Sequence, residues 1–204
     1  MAGLCGVILA AGESTRMGRD KALLPWPKGS ASSTLLSCEI RAFADHCELV
    51  LVVGGKNAEI IAPVIYAEGA SLIRNPAPER GQFSSLQIGL HEVLNRGRDS
   101  AIVTLVDRPP PAAETLGELV SAFERRGHGI WAVVPEHDGK HGHPILIGRE
   151  MIEAFLGAPA TANARDIEHA QQQHISYVSS ADPLVTTNVD TPQDYVSLES
   201  YREM

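Results

Sequence analysis

Short apolar runs alternate with amphipathic stretches along residues 4–134 of this chain. The apolar runs predict strands at Leu4–Ala10, Leu49–Val53, Ser71–Arg74, Ala101–Val106 and Gly129–Val134. The stretches between them predict helices at Leu35–Ala44, Ala58–Ile65, Phe83–Leu94 and Ala112–Arg126. Helices that connect parallel strands pack on the faces of the sheet. The alternation therefore predicts an α/β fold, with a mostly parallel sheet and helices on both faces.

The pattern is less regular after Pro135. It predicts strands at Pro144–Ile147, Ile175–Val178 and Leu184–Thr187, and helices at Met151–Phe155, Ala164–Ala170 and Pro192–Tyr201. This change of pattern predicts a mixed edge to the sheet. No repeat or linker interrupts the 204 residues, and a chain of this length can bury one substantial core. We therefore expect a single domain over residues 1–204.

Composition and charge exclude several classes of protein. No apolar stretch approaches the roughly 18 residues of a membrane span, so no membrane role is expected. The net charge of -8 argues against a nucleic-acid partner but is compatible with a small anionic substrate. The apolar run near the N-terminus is short and lacks a basic lead, which favours a cytoplasmic protein. Cys5, Cys38 and Cys47 are odd in number and lack CxxC spacing, which argues against a disulfide framework or a thiolate zinc site.

The first predicted strand ends in a basic loop of small residues, Ala11–Lys21. Gly12 and Gly18 permit backbone turns that let amide hydrogens point at an anion. The cationic side chains of the loop are Arg16, Arg19 and Lys21. The loop is not a Walker loop, because two residues separate its second glycine from the lysine, and it is not a GxGxxG fingerprint. The alternative is a surface turn with solvated charges; the pattern favours a phosphate site.

Gly81, Ser84 and Ser85 stand at the start of the third predicted helix. Unpaired amides and hydroxyls at a helix N-terminus can bind a phosphate, a ribose or a base edge. The alternative is that one serine only caps the helix. The GxSxG pattern of a nucleophile elbow is absent from the sequence.

Asp107 and Asp190 are candidate metal ligands. Asp107 follows a predicted parallel strand and precedes Arg108 and three prolines, and Asp190 precedes the last predicted helix. Magnesium commonly binds one or two carboxylates and fills its other positions with phosphate oxygens and water. As single residues, either aspartate could instead serve as a turn or helix cap. Their occurrence with a basic glycine loop favours a metal–phosphate site.

Three histidines, His137, His141 and His143, lie close together in the sequence. They could belong to a zinc site, but the flanking glycines and the absence of helical spacing favour a polar hairpin. His143 and Pro144 are candidates for a turn that faces the substrate.

The motifs together resemble the MobA-like nucleotidyltransferase family, closest to the molybdenum cofactor cytidylyltransferases. The matching blocks are LAAGESTRMGRDK (Leu9–Lys21), NPAPERGQFSSL (Asn75–Leu86), LVDRP (Leu105–Pro109), GHPILI (Gly142–Ile147) and NVDTPQDY (Asn188–Tyr195). The resemblance implies a Rossmann-like nucleotidyltransferase fold. It also implies transfer of CMP from CTP to the terminal phosphate of molybdenum-bound molybdopterin, with release of pyrophosphate, and transient contact with a molybdoenzyme or its chaperone.

The resemblance also implies roles for individual residues. The implied nucleotide-binding residues are Leu9, Ala10, Ala11, Gly12, Gly81, Ser84 and Ser85. The implied catalytic residues are Arg16, Lys21 and Asp107, and the implied ligands of Mg²⁺ are Asp107 and Asp190. The implied acceptor-binding residues are Gly142, His143, Pro144 and Arg165.

The chain departs from the family pattern beside Asp107. Arg108 stands where the family more usually has Gln or Met, and this positive charge could weaken metal binding or help to bind a phosphate. Pro110 and Pro111 extend the usual single proline. Three other functions stay open: transfer to another phosphorylated acceptor, a nicotinamide-dependent oxidoreductase, which the missing GxGxxG disfavours, and a non-catalytic cofactor carrier.

Overall fold

The computed structural model describes residues 3–12, 14–27, 29–159 and 161–198. Within these ranges the strands are Cys5–Ala10 (β1), Leu49–Gly54 (β2), Ser71–Arg74 (β3), Ser100–Leu105 (β4), Ala132–His137 (β5), Lys140–His141 (β6), Ile145–Gly148 (β7) and Ile175–Ser179 (β8). The α-helices are Leu35–Ala44 (α1), Ala58–Ala67 (α2), Gln82–Asn95 (α3), Ala113–Glu124 (α4), Arg149–Gly157 (α5), Ala164–Ala170 (α6) and Pro192–Ser197 (α7).

The strands form one sheet with a parallel half and a mixed half. Its order is β3-β2-β1-β4-β7-β5-β6, and β8 pairs with β5. The pairs β3–β2, β2–β1 and β1–β4 are parallel, as expected for strands joined by helical crossovers. Strand β7 is antiparallel to β4 and β5, whereas β8 is parallel to β5. The predicted α/β fold with a mostly parallel sheet is confirmed, and the reversed strand β7 lies between β4 and β5.

Hydrophobic clusters cover both faces of the sheet. All six residues of β1 are buried, and successive side chains point to opposite faces. Val7 and Leu9 pack in one cluster with α3 and α5. Ile8 and Ala10 pack in the other with α1, α2 and α4. A strand buried on both faces needs a continuous apolar run, which explains the composition of β1.

Two local predictions have clear outcomes. The predicted polar hairpin is confirmed, because β5 pairs with β6 across a turn in which Asp138 and Gly139 have φ angles of 49° and 72°. The predicted strand Leu184–Thr187 is wrong: Pro183–Thr186 is a 3-10 turn. Asp182 caps this turn by accepting a hydrogen bond from the Leu184 amide. The predicted end of the last helix at Tyr201 lies outside the described residues.

No helix among residues 3–12, 14–27, 29–159 and 161–198 is long and apolar enough to cross a bilayer.

Glu39 is a buried carboxyl group on α1. It is 1% exposed, and neither of its carboxyl oxygens has a hydrogen-bond partner. Burial raises the pKa of this group well above its ordinary value of 4.5. The unfolded chain releases this proton near the ordinary pKa, whereas the folded chain retains it. The free energy of unfolding therefore falls as pH rises from the ordinary pKa to the raised one.

The Glu39→Gln variant is expected to lose this part of the pH dependence. The wild type should lose up to about 1.4 kcal/mol of unfolding free energy per pH unit through Glu39 above pH 4.5, and the variant should not. Urea unfolding at several pH values between 5 and 7 measures the difference. Glu118→Gln, at an exposed position of α4, is the control and should keep the wild-type slope. Equal slopes for the wild type and Glu39→Gln would contradict the assignment.

Candidate functional site

Loops that follow parallel strands gather at one edge of the sheet and enclose a first cavity of about 540 Å³. The sequence-predicted residues among those lining it are Leu9, Ala11, Gly12, Arg16, Lys21, Gly81, Ser85, Asp107 and Asp190. These residues come from the loop after β1, the start of α3, the end of β4 and the segment before α7. The structure thus brings together candidate residues that are distant in sequence.

The loop after β1 is held by hydrogen bonds at its carboxyl end. Asp20 accepts bonds from the Ala22 amide at 2.9 Å and from Asn57 Nδ2 at 2.6 Å. Asn57 Nδ2 also donates to the carbonyl oxygen of Ala10 at 2.9 Å, which ties the loop to the end of β1. The Ser14 hydroxyl accepts from the Lys21 amide at 3.1 Å. These bonds fix the backbone from which the Lys21 side chain extends.

Lys21 lies between the two candidate metal ligands. Its Nζ donates to Asp190 Oδ1 at 2.8 Å and to Asp107 Oδ2 at 3.2 Å, and the residue is only 8% exposed. The low exposure makes these ion pairs stronger than pairs on an open surface. One ammonium group thus brings two carboxylates to the same point of the first cavity.

The backbone brings Asp190 to this point. The Val189 amide donates to the carbonyl oxygen of Asp107 at 2.8 Å, and the Val189 side chain is fully buried against Met17 and Tyr195. Thr191 caps α7, because its hydroxyl accepts from the Asp194 amide at 3.2 Å. Asp190 is therefore not the helix cap, and its carboxylate faces Lys21.

Positive charge controls the protonation of Asp190. Its hydrogen bond with Lys21 lowers the pKa of Asp190, and the charges of Lys21 and Arg16 act in the same direction. Arg16 Nη2 lies 3.2 Å from Asp190 Oδ1 on an exposed side chain. Because the folded pKa is depressed, this interaction stabilises the fold above the ordinary pKa of 3.8 and is lost as pH falls through the lowered value.

Arg19, one of the three cationic residues of the loop, does not lie where a phosphate-binding role would place it. The Arg19 guanidinium lies 5.9 Å from the centre of the Tyr195 ring, and Arg19 does not line the first cavity. The phosphate-facing charge predicted for Arg19 is therefore not supported, since a cation–π contact directs its side chain to α7.

The serines at the start of α3 divide into two environments. Ser85 lines the first cavity, but Ser84 does not. The Ser84 hydroxyl donates to the carbonyl oxygen of Gly81 at 2.7 Å and accepts from Asn75 Nδ2 at 2.9 Å. Ser84 therefore fixes the turn at Gly81, whose φ of 91° favours glycine. Ala10 is likewise buried and does not line the cavity, although its carbonyl oxygen holds Asn57.

The donor set fits a hard cation. Asp107 and Asp190 supply carboxylate oxygens, which Mg²⁺ and Mn²⁺ prefer. Within the part of the chain that the structure describes, no cluster of three or more His, Cys, Asp or Glu side chains could hold a metal ion. Two carboxylates without a third ligand suit an ion whose other positions are filled by phosphate oxygens and water.

A second cavity of about 930 Å³ adjoins the first, and both are lined by Leu9, Gly81 and Gln82. Three of the predicted acceptor-binding residues, Gly142, His143 and Arg165, line the second cavity. Pro144 is buried and does not line it. The aromatic rings of His141 and Tyr177 stack at 3.9 Å on its wall.

His143 has a fixed backbone and a partly buried ring. Its amide donates to the carbonyl oxygen of Val185 at 2.7 Å, while its Nδ1 is buried without a partner. Burial, followed by the charge of Arg108, lowers the pKa of His143 to about 3. The ring is therefore neutral near pH 7 and can donate or accept a hydrogen bond without adding a charge.

Sequence reasoning missed three polar residues of the site: Asn57, Asn75 and Gln82. Asn75 Nδ2 bridges the hydroxyls of Ser84 and Ser85, both at 2.9 Å. Gln82 lines both cavities. Asn75 and Gln82 lie inside the NPAPERGQFSSL block, so their position beside the serines was an available signal. Asn57 carries no comparable signal, because its contact with Asp20 joins two separate loops.

Comparisons with known proteins place this geometry in context. Residues 6–175 match the model of the MobA-like NTP transferase domain. The chain is 34% identical over 204 residues to a probable molybdenum cofactor guanylyltransferase of Mycobacterium avium, covering 98% of this chain and 96% of the relative. It is 26% identical over 200 residues to the molybdenum cofactor cytidylyltransferase of Escherichia coli K12, covering 97% of both chains.

Solved structures agree with the fold. Two crystal structures of Rv0371c from Mycobacterium tuberculosis H37Rv, one of them a complex with manganese, superpose on this chain with TM-scores of 0.80 and 0.74. Sequence identities are 23% and 22%, and 97% of both chains is covered in each case.

Proposed function

The chain belongs to the MobA-like NTP transferase family, and from this premise we propose that it transfers CMP from CTP to the terminal phosphate of molybdenum-bound molybdopterin, releasing pyrophosphate. The observation that carries the proposal is Lys21, which lines the first cavity and is held between Asp107 and Asp190. Relatives named as cytidylyltransferases and guanylyltransferases both match, so CTP is the finer part of the proposal.

The first cavity is proposed to bind the nucleotide. Its volume of about 540 Å³ lies in the usual range for small-molecule sites. The backbone of the loop at Leu9, Ala11 and Gly12 borders the base and phosphates, and Gly81 with Ser85 borders the base and ribose. Ala10 and Ser84 support these neighbours through hydrogen bonds instead of touching the nucleotide.

In the proposed reaction an oxygen of the acceptor phosphate forms a bond to the α-phosphorus of CTP. The bond from the α-phosphorus to the bridging oxygen breaks in line, and pyrophosphate leaves with the electron pair. Lys21 and Arg16 stabilise the negative charge that develops on the phosphate oxygens. Such transfers depend mainly on positioning and charge, and this site has glycine amides and cations but no nucleophile motif.

Asp107 and Asp190 are proposed to hold a divalent cation, Mg²⁺. When bound, the ion would neutralise phosphate charge. The manganese complex of a structural relative supports the use of a divalent metal by this fold. Lys21 Nζ bonds to one oxygen of each carboxylate, Asp107 Oδ2 and Asp190 Oδ1, so the other oxygen of each could bind the ion while the ammonium stays in place.

The second cavity is proposed to bind the acceptor. Gly142, His143 and Arg165 of α6 line it, and the buried Pro144 follows His143 in the chain. A planar heterocycle could pack on the stacked rings of His141 and Tyr177. Contact with a molybdoenzyme or its chaperone stays a prediction from the family resemblance.

Thermal unfolding with each nucleotide tests the proposal. CTP with Mg²⁺ at about 100 times its dissociation constant should stabilise the fold by roughly 2.7 kcal/mol, which is about 5–10 °C in Tm. Asp107→Asn should reduce the part of the shift that depends on Mg²⁺. GTP, ATP and UTP under the same conditions are the comparison set.

The outcomes separate the parts of the proposal. A shift with GTP but not with CTP would contradict the proposed base, and no shift with any nucleotide would contradict nucleotidyl transfer. Release of pyrophosphate from CTP with a phosphorylated pterin acceptor separates the transferase from a carrier. An absorbance change with NAD(P)H and a quinone-like acceptor would instead support an oxidoreductase.

A further inference from the structure

Arg108 occupies the boundary between the two cavities. Asp107 lines the first cavity, and the next residue, Arg108, lines the second. Both follow β4, in the loop between that strand and α4. An acceptor phosphate in the second cavity that approaches a nucleotide in the first can therefore lie beside this pair of residues.

The guanidinium of Arg108 has few partners for a partly buried cation. Its Nη1 donates to the carbonyl oxygen of Thr187 at 3.5 Å, and its Nε is buried with no partner. Burial lowers the pKa of Arg108 and the charges of Asp107 and Asp190 oppose this shift, but both carboxylates are already bonded to Lys21. A guanidinium has five N–H donors in a fork that matches two oxygens of a phosphate or carboxylate.

Burying the Nε of such a group without a partner costs stability in the free protein. Such a loss of stability is expected for a residue that binds a ligand, because its unused N–H donors form hydrogen bonds only in the complex. Because Arg108 lines the second cavity, we expect that ligand to bind there.

The excess of positively charged side chains in the second cavity favours an anionic ligand. Its lining includes the cations Arg80, Arg108, Lys140 and Arg165 against the single acid Glu168. Burial raises the pKa of Glu168, and the charge of Arg165 opposes this shift. Neutral His143 adds no positive charge of its own, whereas Arg108, the residue after Asp107, brings a cation to the boundary with the first cavity.

We propose that Arg108 binds the acceptor phosphate and holds it at the boundary of the two cavities, facing the nucleotide. The identity of the anion as the acceptor phosphate rests on the proposed function, whereas the anion site itself rests on the geometry above. Arg108 is then a positioning residue of the second cavity and not a ligand of the nucleotide.

Inorganic phosphate is the probe for this site. Calorimetric titration is performed on the whole chain, both without nucleotide and with the first cavity filled by the non-hydrolysable analogue α,β-methylene-CTP and Mg²⁺. In the filled protein, Arg108→Met should weaken phosphate binding about tenfold or more, since a charge-assisted bidentate contact is lost. Arg108→Lys keeps the positive charge but not the two parallel N–H donors of the guanidinium, and it should bind phosphate about threefold more weakly than the wild type.

Two further measurements separate this role from a structural one. The dissociation constant of the CTP analogue should stay within about twofold of wild type in Arg108→Met. Without ligand, the Tm of Arg108→Met should equal or exceed that of the wild type, because a partly buried cation with one long hydrogen bond has been removed. Arg125→Met, at an exposed position at the end of α4, is the matched control for the loss of one charge.

Phosphate affinity in Arg108→Met within about twofold of wild type would overturn the proposal, as would an equal loss in Arg125→Met. Failure of the wild type to bind the CTP analogue would count against the proposed function. The titration without nucleotide would still test whether Arg108 binds an anion.

Discussion

Turnover by a Lys21→Ala variant is expected to fall by about a hundredfold to a thousandfold. The ammonium is held by two carboxylates at 2.8 and 3.2 Å and is nearly buried, so it meets the phosphates without reorganisation. A donor arranged in advance in this way contributes about 3–4 kcal/mol to the transition state. Pyrophosphate release at saturating CTP and acceptor measures the loss.

Arg19→Ala is the control for the Lys21 experiment. It removes a cation from the same loop, but Arg19 points to Tyr195 and not into the first cavity, so turnover should change less than about twofold. Because Lys21 also pairs with Asp107 and Asp190, thermal unfolding is measured beside turnover. A folded Lys21→Ala protein that turns over within about fivefold of wild type would remove Lys21 from the mechanism.

The Gly142→Ala variant is expected to lose about 3 kcal/mol of unfolding free energy. An alanine Cβ at this position would overlap the carbonyl oxygen of Val185 and lie 2.7 Å from its carbonyl carbon. The clash involves backbone, which cannot rotate away as a side chain can. The same carbonyl oxygen accepts the His143 amide hydrogen, so moving it would break that bond and disturb the second cavity. Urea unfolding measures the loss.

Gly117→Ala provides the matched control. Gly117 lies within α4, and a Cβ there would meet no atom within 4 Å. The same chemical change should therefore stabilise the chain by about 0.5–1 kcal/mol, since alanine is the better helix former. If Gly142→Ala proved as stable as wild type, the close approach of Val185 to Gly142 would be refuted.

The parallel half of the fold could be predicted from the sequence because its signal is local. An apolar run buried on both faces and an amphipathic helix each leave a periodic pattern, and β1 to β4 follow those patterns closely. The position of β7 between β4 and β5 depends on packing among distant segments, which no local pattern records. The segment Pro183–Thr186 is a second case that the local pattern does not record. Its short apolar run resembles a strand but forms a 3-10 turn capped by Asp182.

The candidate site was predictable to a different degree for each residue. Asp107 could be placed at the edge of the sheet from its position after a strand. Sequence pattern alone left Asp190 as either a helix cap or a metal ligand. The structure removes the first alternative, because the Thr191 hydroxyl caps α7, and metal binding by Asp190 stays a prediction. The different environments of Ser84 and Ser85 depend on Asn75, and the unused donors of Arg108 follow from the fold around it.

The bond between Lys21 and Asp190 joins residues 169 positions apart, so it closes one of the longest loops in the chain. Closing a long loop costs entropy that only a nearly complete fold repays, and such contacts form late in folding. A partly folded chain can therefore contain β1 and its neighbours in register and still lack a finished first cavity. Affinity for nucleotide would then appear only in the last stage of folding, and nucleotide would favour the fully folded chain over every intermediate.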